Sequence, residues 1–172
     1  DTAATDAITI KVTDTTATAA ELKALDGKTS VVVDAKTVTT IKVDTGESVA
    51  DLATVLAAKT IAKAANVAVE ITGNNISAFQ ANSIAKSTTG VVTATIKADT
   101  AAVLNAALVD GSGTPTVNAY KLTVTGTSAK AADLNSLDAK TSVAIDASAI
   151  KNIDGASAAG AVEVNKVVTA AN

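Results

Sequence analysis

Apolar positions along this chain fall into two alternating rhythms. Short Thr/Val/Ile stretches, Ala7 to Thr13, Ser30 to Asp34, Asn66 to Ile71, Gly90 to Ile96, Tyr120 to Thr125 and Ser142 to Asp146, alternate β-branched and polar residues. That period of two predicts strands with one buried face. Between them, Ala-rich stretches carry leucines three residues apart: Leu22 with Leu25, and Leu134 with Leu137. This spacing puts each pair on one helical face and predicts helices over Ala19 to Leu25, Val49 to Ala58, Ala101 to Leu108 and Lys130 to Leu137. Small polar runs, Asp14-Thr15-Thr16 and Gly126-Thr127-Ser128, punctuate the entry to two helices and offer N-cap oxygens. Glu21 and Asp133 sit in first helical turns, where the macrodipole favours negative charge. Val31 with Val33, and Val143 with Ile145, are expected to point to one face of the strand after each helix.

The two rhythms repeat as a block. Ile10 to Ile41 aligns without gaps to Leu122 to Ile153 at an offset of 112. Val12-Thr13 falls on Val124-Thr125; Leu22, Leu25 and Asp26 fall on Leu134, Leu137 and Asp138; and Lys28-Thr29-Ser30-Val31 falls on Lys140-Thr141-Ser142-Val143. Taking the helix leucine as a marker gives Leu22, Leu52, Leu104 and Leu134, at intervals of 30, 52 and 30. The long interval leaves room for one irregular unit centred on Ile76 to Ile84. The expected fold class is therefore α/β: strand–helix–strand units of about 25–30 residues, stacked as a solenoid-like array with largely parallel strands. One repeat domain over 1–172 is expected, with units at 7–43, 44–72, 73–97, 98–118 and 119–154 and a C-terminal cap or assembly segment at 155–172. Weak places are expected at Gly73 to Ser87 and at Asp110 to Pro115, where Gly111, Gly113 and Pro115 mark a loop.

Composition sharpens this picture. The 172 residues include 39 Ala, 27 Thr and 21 Val, one Phe, one Tyr and no Cys, Met, His or Trp. Small side chains bury little area each, so stability has to come from many regular contacts between neighbouring units. Without His or Cys there is no imidazole base, no thiolate nucleophile and no Cys/His zinc site. All 14 basic residues are lysines, and Gly111-Ser112-Gly113 is not followed by the Lys-Ser/Thr of a phosphate loop. A Ser30/Lys28 pair has no supporting motif, and carboxylate pairs lack the aromatic neighbours of a sugar-cleaving site. The expectation is no enzyme and no catalytic residue.

A net charge of −3, a pI near 4.8 and scattered lysines disfavour nucleic-acid binding, and no apolar run approaches the length of a membrane helix. Absence of both oxidisable sulfur side chains suits an extracellular, cell-surface location. A chain starting at Asp1 is expected to be a processed chain or a section of a longer one.

The repeat core, Ala-Ala-(Glu/Asp)-Leu-x-x-Leu-Asp-x-Lys-Thr-Ser-Val-x-(Val/Ile)-Asp-Ala, resembles the Ala/Thr/Val/Asp-rich tandem repeats of large secreted bacterial, cyanobacterial-type surface proteins, adhesin-like or S-layer-like. The resemblance covers Ile10 to Ile41 and Leu122 to Ile153. It implies a scaffold that self-associates into a layer, filament or stalk. The calcium-binding nonapeptides common in such proteins are missing; the recurrent Asp26, Asp34, Asp138 and Asp146 are instead the candidates for a Ca2+ site, and no other cofactor is expected. An alternative is a surface-binding module for polysaccharide or ice, built on Thr-x-Thr pairs: Thr37/Thr39, Thr93/Thr95 and Thr123/Thr125.

Overall fold

In the computed structural model residues 6–108 and 117–155 are described. The fold is mixed α/β with mostly parallel strands. In chain order the elements are β1 (Thr16–Thr18), α1 (Ala19–Asp26), β2 (Val33–Asp34), β3 (Thr40–Val43), α2 (Val49–Ala57), β4 (Ile61–Ala62), β5 (Ala68–Ile76), α3 (Ala78–Ala85), β6 (Val92–Ile96), α4 (Ala101–Ala107), β7 (Ala119–Lys121), β8 (Ser128–Lys130), α5 (Ala131–Asp138) and β9 (Asn152–Asp154). The chain divides into two compact units, Asp1–Asn74 with Ile84–Thr93, and Asn75–Ser83 with Ala94–Asn172.

In the first unit β1, β3 and β5 pair side by side in parallel, Ala17 opposite Ile41 and Ile41 opposite Val69, while β2 pairs with β4 through Val33 and Ile61. These four apolar groups, Ile41, Val69, Val33 and Ile61, are all almost fully buried, which is what a parallel sheet under helices requires. In the second unit β8 pairs with β9 in parallel, and single parallel bridges join Asp99 to Val124, Asn118 to Thr141 and Thr123 to Asp146. The marker leucines Leu22, Leu52, Leu104 and Leu134 are all buried.

Four helices start within one residue of their expected positions, but the runs expected to cap them do not: α5 starts after Lys130 with no side-chain cap bond, and α1 is capped by Thr18 beyond Asp14-Thr15-Thr16. Thr18 closes a capping box on α1: its Oγ1 accepts from the Glu21 N–H at 3.1 Å and its own N–H donates to Glu21 Oε2 at 2.9 Å. The fifth, α3, lies in the stretch read as weak. Ser77 and Gln80 repeat the same box there, with Gln80 N–H to Ser77 Oγ at 3.2 Å and Ser77 N–H to Gln80 Oε1 at 3.0 Å. The marker position in α3 is Ala81, fully buried, and its carbonyl accepts from the Tyr120 hydroxyl at 3.4 Å. A large side chain arriving from elsewhere in the second unit replaces the volume of the missing leucine.

The strands differ more. Ala7 to Thr13 contributes only a single bridge at Lys11, with another just before it at Asp6, and the first regular strand among the described residues is β1, which begins at the last residue of the run read as a polar connection. Likewise β8 occupies the end of Gly126-Thr127-Ser128. β2 begins at Val33, so Val31 is partly exposed while Val33 is fully buried. The reason is Thr29, whose Oγ1 accepts from the Val31 N–H at 3.0 Å and holds that peptide in a turn. The expected loop at Asp110 to Pro115 and nearly all of the expected C-terminal segment lie outside the described residues.

Candidate functional site

The same local arrangement is built three times. Shifting residues 6–43 by 59 superposes their numbering on a copy starting at Ala65, and shifting by 112 gives a copy starting at Asn118. The shared signature is one buried threonine: Thr29, Thr88 and Thr141, each 6–7% exposed. Each Oγ1 donates to the carbonyl of the equivalent residue 21 positions earlier, Ile8 at 2.6 Å, Val67 at 2.5 Å and Tyr120 at 2.6 Å. Each also accepts an N–H two residues on, from Val31 at 3.0 Å, Gly90 at 3.0 Å and Val143 at 3.1 Å. A buried hydroxyl with donor and acceptor capacity both used is a stabilising clip whose loss strands a carbonyl and an N–H. Glycine replaces valine at position 90 because a Cβ there would collide with the carbonyls of Asn66 and Val67. The sequence repeat contained these threonines, but composition hid them among 27 of their kind.

The candidate aspartates also occupy equivalent places, and the carboxylates of Asp34 and Asp146 serve turns while that of Asp26 makes a long-range bond. Asp26 Oδ2 accepts from Thr60 Oγ1 at 2.9 Å, and Asp34 Oδ1 from the Lys36 N–H at 3.3 Å. Asp146 Oδ1 accepts from Ser148 Oγ at 2.7 Å and from the Ser148 N–H at 3.1 Å, bonds that hold this exposed carboxyl below the usual carboxylate range. Asp138 is exposed and closes its turn through its backbone carbonyl, which accepts from the Thr141 N–H at 3.4 Å. Among the described residues no group of three or more carboxylate, His or Cys side chains converges to hold a metal ion.

Of the Thr-x-Thr pairs, Thr37 donates to the Val12 carbonyl at 2.5 Å and Thr39 to that of Thr15 at 3.1 Å. Thr93 and Thr125 are exposed while Thr95 and Thr123 are half-buried, so each pair presents its two hydroxyls unequally.

Helix neighbours meet through polar contacts with a common register. In the first unit Lys23 Nζ of α1 lies 2.6 Å from Asp51 Oδ1 of α2. In the second, Asn105 Nδ2 of α4 donates to Asp133 Oδ1 of α5 at 3.3 Å, and Ser136 Oγ donates to Asn105 Oδ1 at 2.7 Å. Lys140 Nζ reaches the carbonyls of Asn105, at 3.3 Å, and of Leu108. On the other flank of α1 lies an open groove of about 580 Å3, lined by Val12, Ala17, Leu22, Leu25 and the polar Glu21 and Lys28.

Two titratable groups feel burial. The Tyr120 phenol is pushed up to about 12, and the Lys63 ammonium, which donates to the Ala58 carbonyl at 3.0 Å, is pulled down. No helix among the described residues is long and apolar enough to cross a membrane.

No family model, curated protein or solved structure matches the chain.

Proposed function

We propose that this chain is a non-enzymatic structural protein, or a segment of one, of an extracellular bacterial surface assembly such as an S-layer, filament or adhesin stalk. Its units stack as a solenoid-like array, and the array works by associating with further copies of itself. The observation that carries this reading is the threefold recurrence of the buried threonine clip at offsets of 59 and 112, with matching backbone bonds around it. Val12 N–H to Asp34 carbonyl and Val124 N–H to Asp146 carbonyl are both 2.8 Å; Asp34 N–H to Ile10 carbonyl and Asp146 N–H to Leu122 carbonyl are both 2.9 Å. Repetition of this kind gives successive units matching faces, which is what association with further copies needs.

Thr37 and Thr39 hydroxyls turned onto carbonyls favour threonine as internal glue over threonine as a binding face. Light scattering and negative-stain electron microscopy of the purified chain, with and without Ca2+, test the proposal. Expected are a mass that rises with concentration and extended sheets or filaments. A monodisperse monomer that shapes ice crystals or is retained by polysaccharide overturns it.

A further inference from the structure

Resting on that reading, we infer that the basic surface beyond the C-terminal end of α2 docks a second copy of this chain, which meets it with the acidic loop that enters its own α2. Charge is unevenly spread along the sequence. Residues 52–98 hold four lysines, Lys59, Lys63, Lys86 and Lys97, and one carboxylate, Glu70, for a net +3. The whole chain carries −3, so the remaining residues carry −6.

The first unit gathers three of these lysines. Lys59 is the second residue past α2, and Lys63 Nζ turns back onto the Ala58 carbonyl at 3.0 Å, which puts both cations at one end of that helix. Lys86 arrives with the turn after α3. There the Thr89 N–H and the Thr88 hydroxyl both donate to the Ala65 carbonyl, at 3.0 and 3.2 Å, and hold that turn against the residues following Lys63. Lys59 and Lys86 are exposed. One carboxylate reaches this end, Asp26 through its bond from Thr60, and the exposed Lys28 two residues on offsets it. Among the described residues lysine ion pairs form at Lys23–Asp51 and Lys42–Glu70, so neither Lys59 nor Lys86 has a carboxylate partner there.

The other end of α2 carries the opposite charge in a fixed arrangement. In the loop between β3 and α2 the Asp44 N–H donates to Glu47 Oε2 at 2.9 Å. Thr72 Oγ1 donates to Asp44 Oδ1 at 3.3 Å, and Asn74 Nδ2 to the Glu47 carbonyl at 3.4 Å. Lys23 and Lys42 are engaged by Asp51 and Glu70, at 2.6 and 3.2 Å, and leave Asp44 and Glu47 uncompensated.

α2 has nine residues, so the two charged ends stand about 13 Å apart, beyond the range over which exposed charges neutralise each other at physiological salt. Complementary surfaces that do not pair within one copy pair between copies, and the −6 outside residues 52–98 makes a second copy the matching partner. The two surfaces differ, so the contact is heterologous and passes from copy to copy. Charge complementarity of this kind sets the orientation of approach.

Charge reversal tests this in the full chain by light scattering and sedimentation. One variant carries Lys59→Glu with Lys86→Glu, and the other Asp44→Lys with Glu47→Lys. Expected is association at least about tenfold weaker for each variant alone, with like charges now facing each other, and recovery to the wild-type level in an equimolar mixture. Recovery on mixing also shows that both variants are folded. If circular dichroism shows a reversed variant to be unfolded, Lys59→Gln with Lys86→Gln is read in its place, at about threefold weaker association. Variants that associate as the wild type does, or folded variants whose mixture stays dissociated, overturn the docking surface and leave the proposed function standing. A wild-type chain that stays monomeric overturns both.

Discussion

Residues 6–43 and 118–154 are one structure written twice, with different surroundings. Their clip bonds agree within 0.1 Å: 2.6 Å in both for the Thr29 and Thr141 hydroxyls, and 3.0 and 3.1 Å for the N–H groups they accept. Their burial does not agree. Leu25 is half-buried and Leu137 fully so; Ile8 is mostly exposed and Tyr120 is not. Local hydrogen bonding is therefore set by the copy's own residues, while the hydrophobic contribution depends on what lies against it. Two identical motifs can hold the same shape with different stability, and the difference is localised on one face of α1.

The largest expected contrast comes from truncating the second leucine of each helix. Leu137→Ala should lower unfolding stability by about 3–4 kcal/mol and Leu25→Ala by about 1–2 kcal/mol, since a fully buried side chain leaves a cavity and a half-buried one does not. Urea unfolding of the two variants measures this; equal losses would remove the distinction between the copies.

A pH effect separates them next, because Tyr120 has Ile8 as its counterpart. In the unfolded chain its phenol ionises near 10, whereas burial holds the folded phenol neutral to about 12. Stability is thus full below pH 10 and falls as pH rises toward 12, by roughly 2–3 kcal/mol at most. As the only tyrosine, Tyr120 is followed directly by its own absorbance, and Tyr120→Phe should abolish the step.

Replacing the clip by an isostere should be felt in both copies. Thr141→Val and Thr29→Val each lose two hydrogen bonds, at about 1–2 kcal/mol apiece, with Thr29 at the low end because Ile8 beside it already reaches water. Thermal unfolding of each variant checks the size and the order.

The smallest effect is expected at the α1–α2 pair. Lys23→Ala should cost under about 1 kcal/mol and become undetectable at high salt, because the Lys23 side chain is half exposed.

Helices were the legible part of this chain. Leucines at Leu22, Leu25, Leu134 and Leu137 act within one or two turns, so their meaning does not depend on distant residues; the cap was read at Asp14-Thr15-Thr16 and falls instead on Thr18. α3 escaped that reading because Ala81 carries no leucine; Tyr120, 39 residues away, restores the lost volume. Strand limits were harder. Thr and Val alternate through nearly every connection, so period two does not say which stretch pairs; β1 is fixed by its register with β3, and β2 begins where Thr29 releases the backbone. Of the candidate site, the recurrent aspartates were visible, but the bond from Thr60 to Asp26 was not, because those residues lie 34 apart in sequence and meet only in space.

By itself the sequence determined the 112-residue correspondence and the apolar face of the leucine-bearing helices, because these follow from spacing along one chain. Tertiary structure decided which threonines among many are buried, which strands pair and which helical face is left bare. Those outcomes depend on groups far apart in sequence meeting at hydrogen-bond and van der Waals distance, and spacing along the chain does not encode which of several equivalent partners is present.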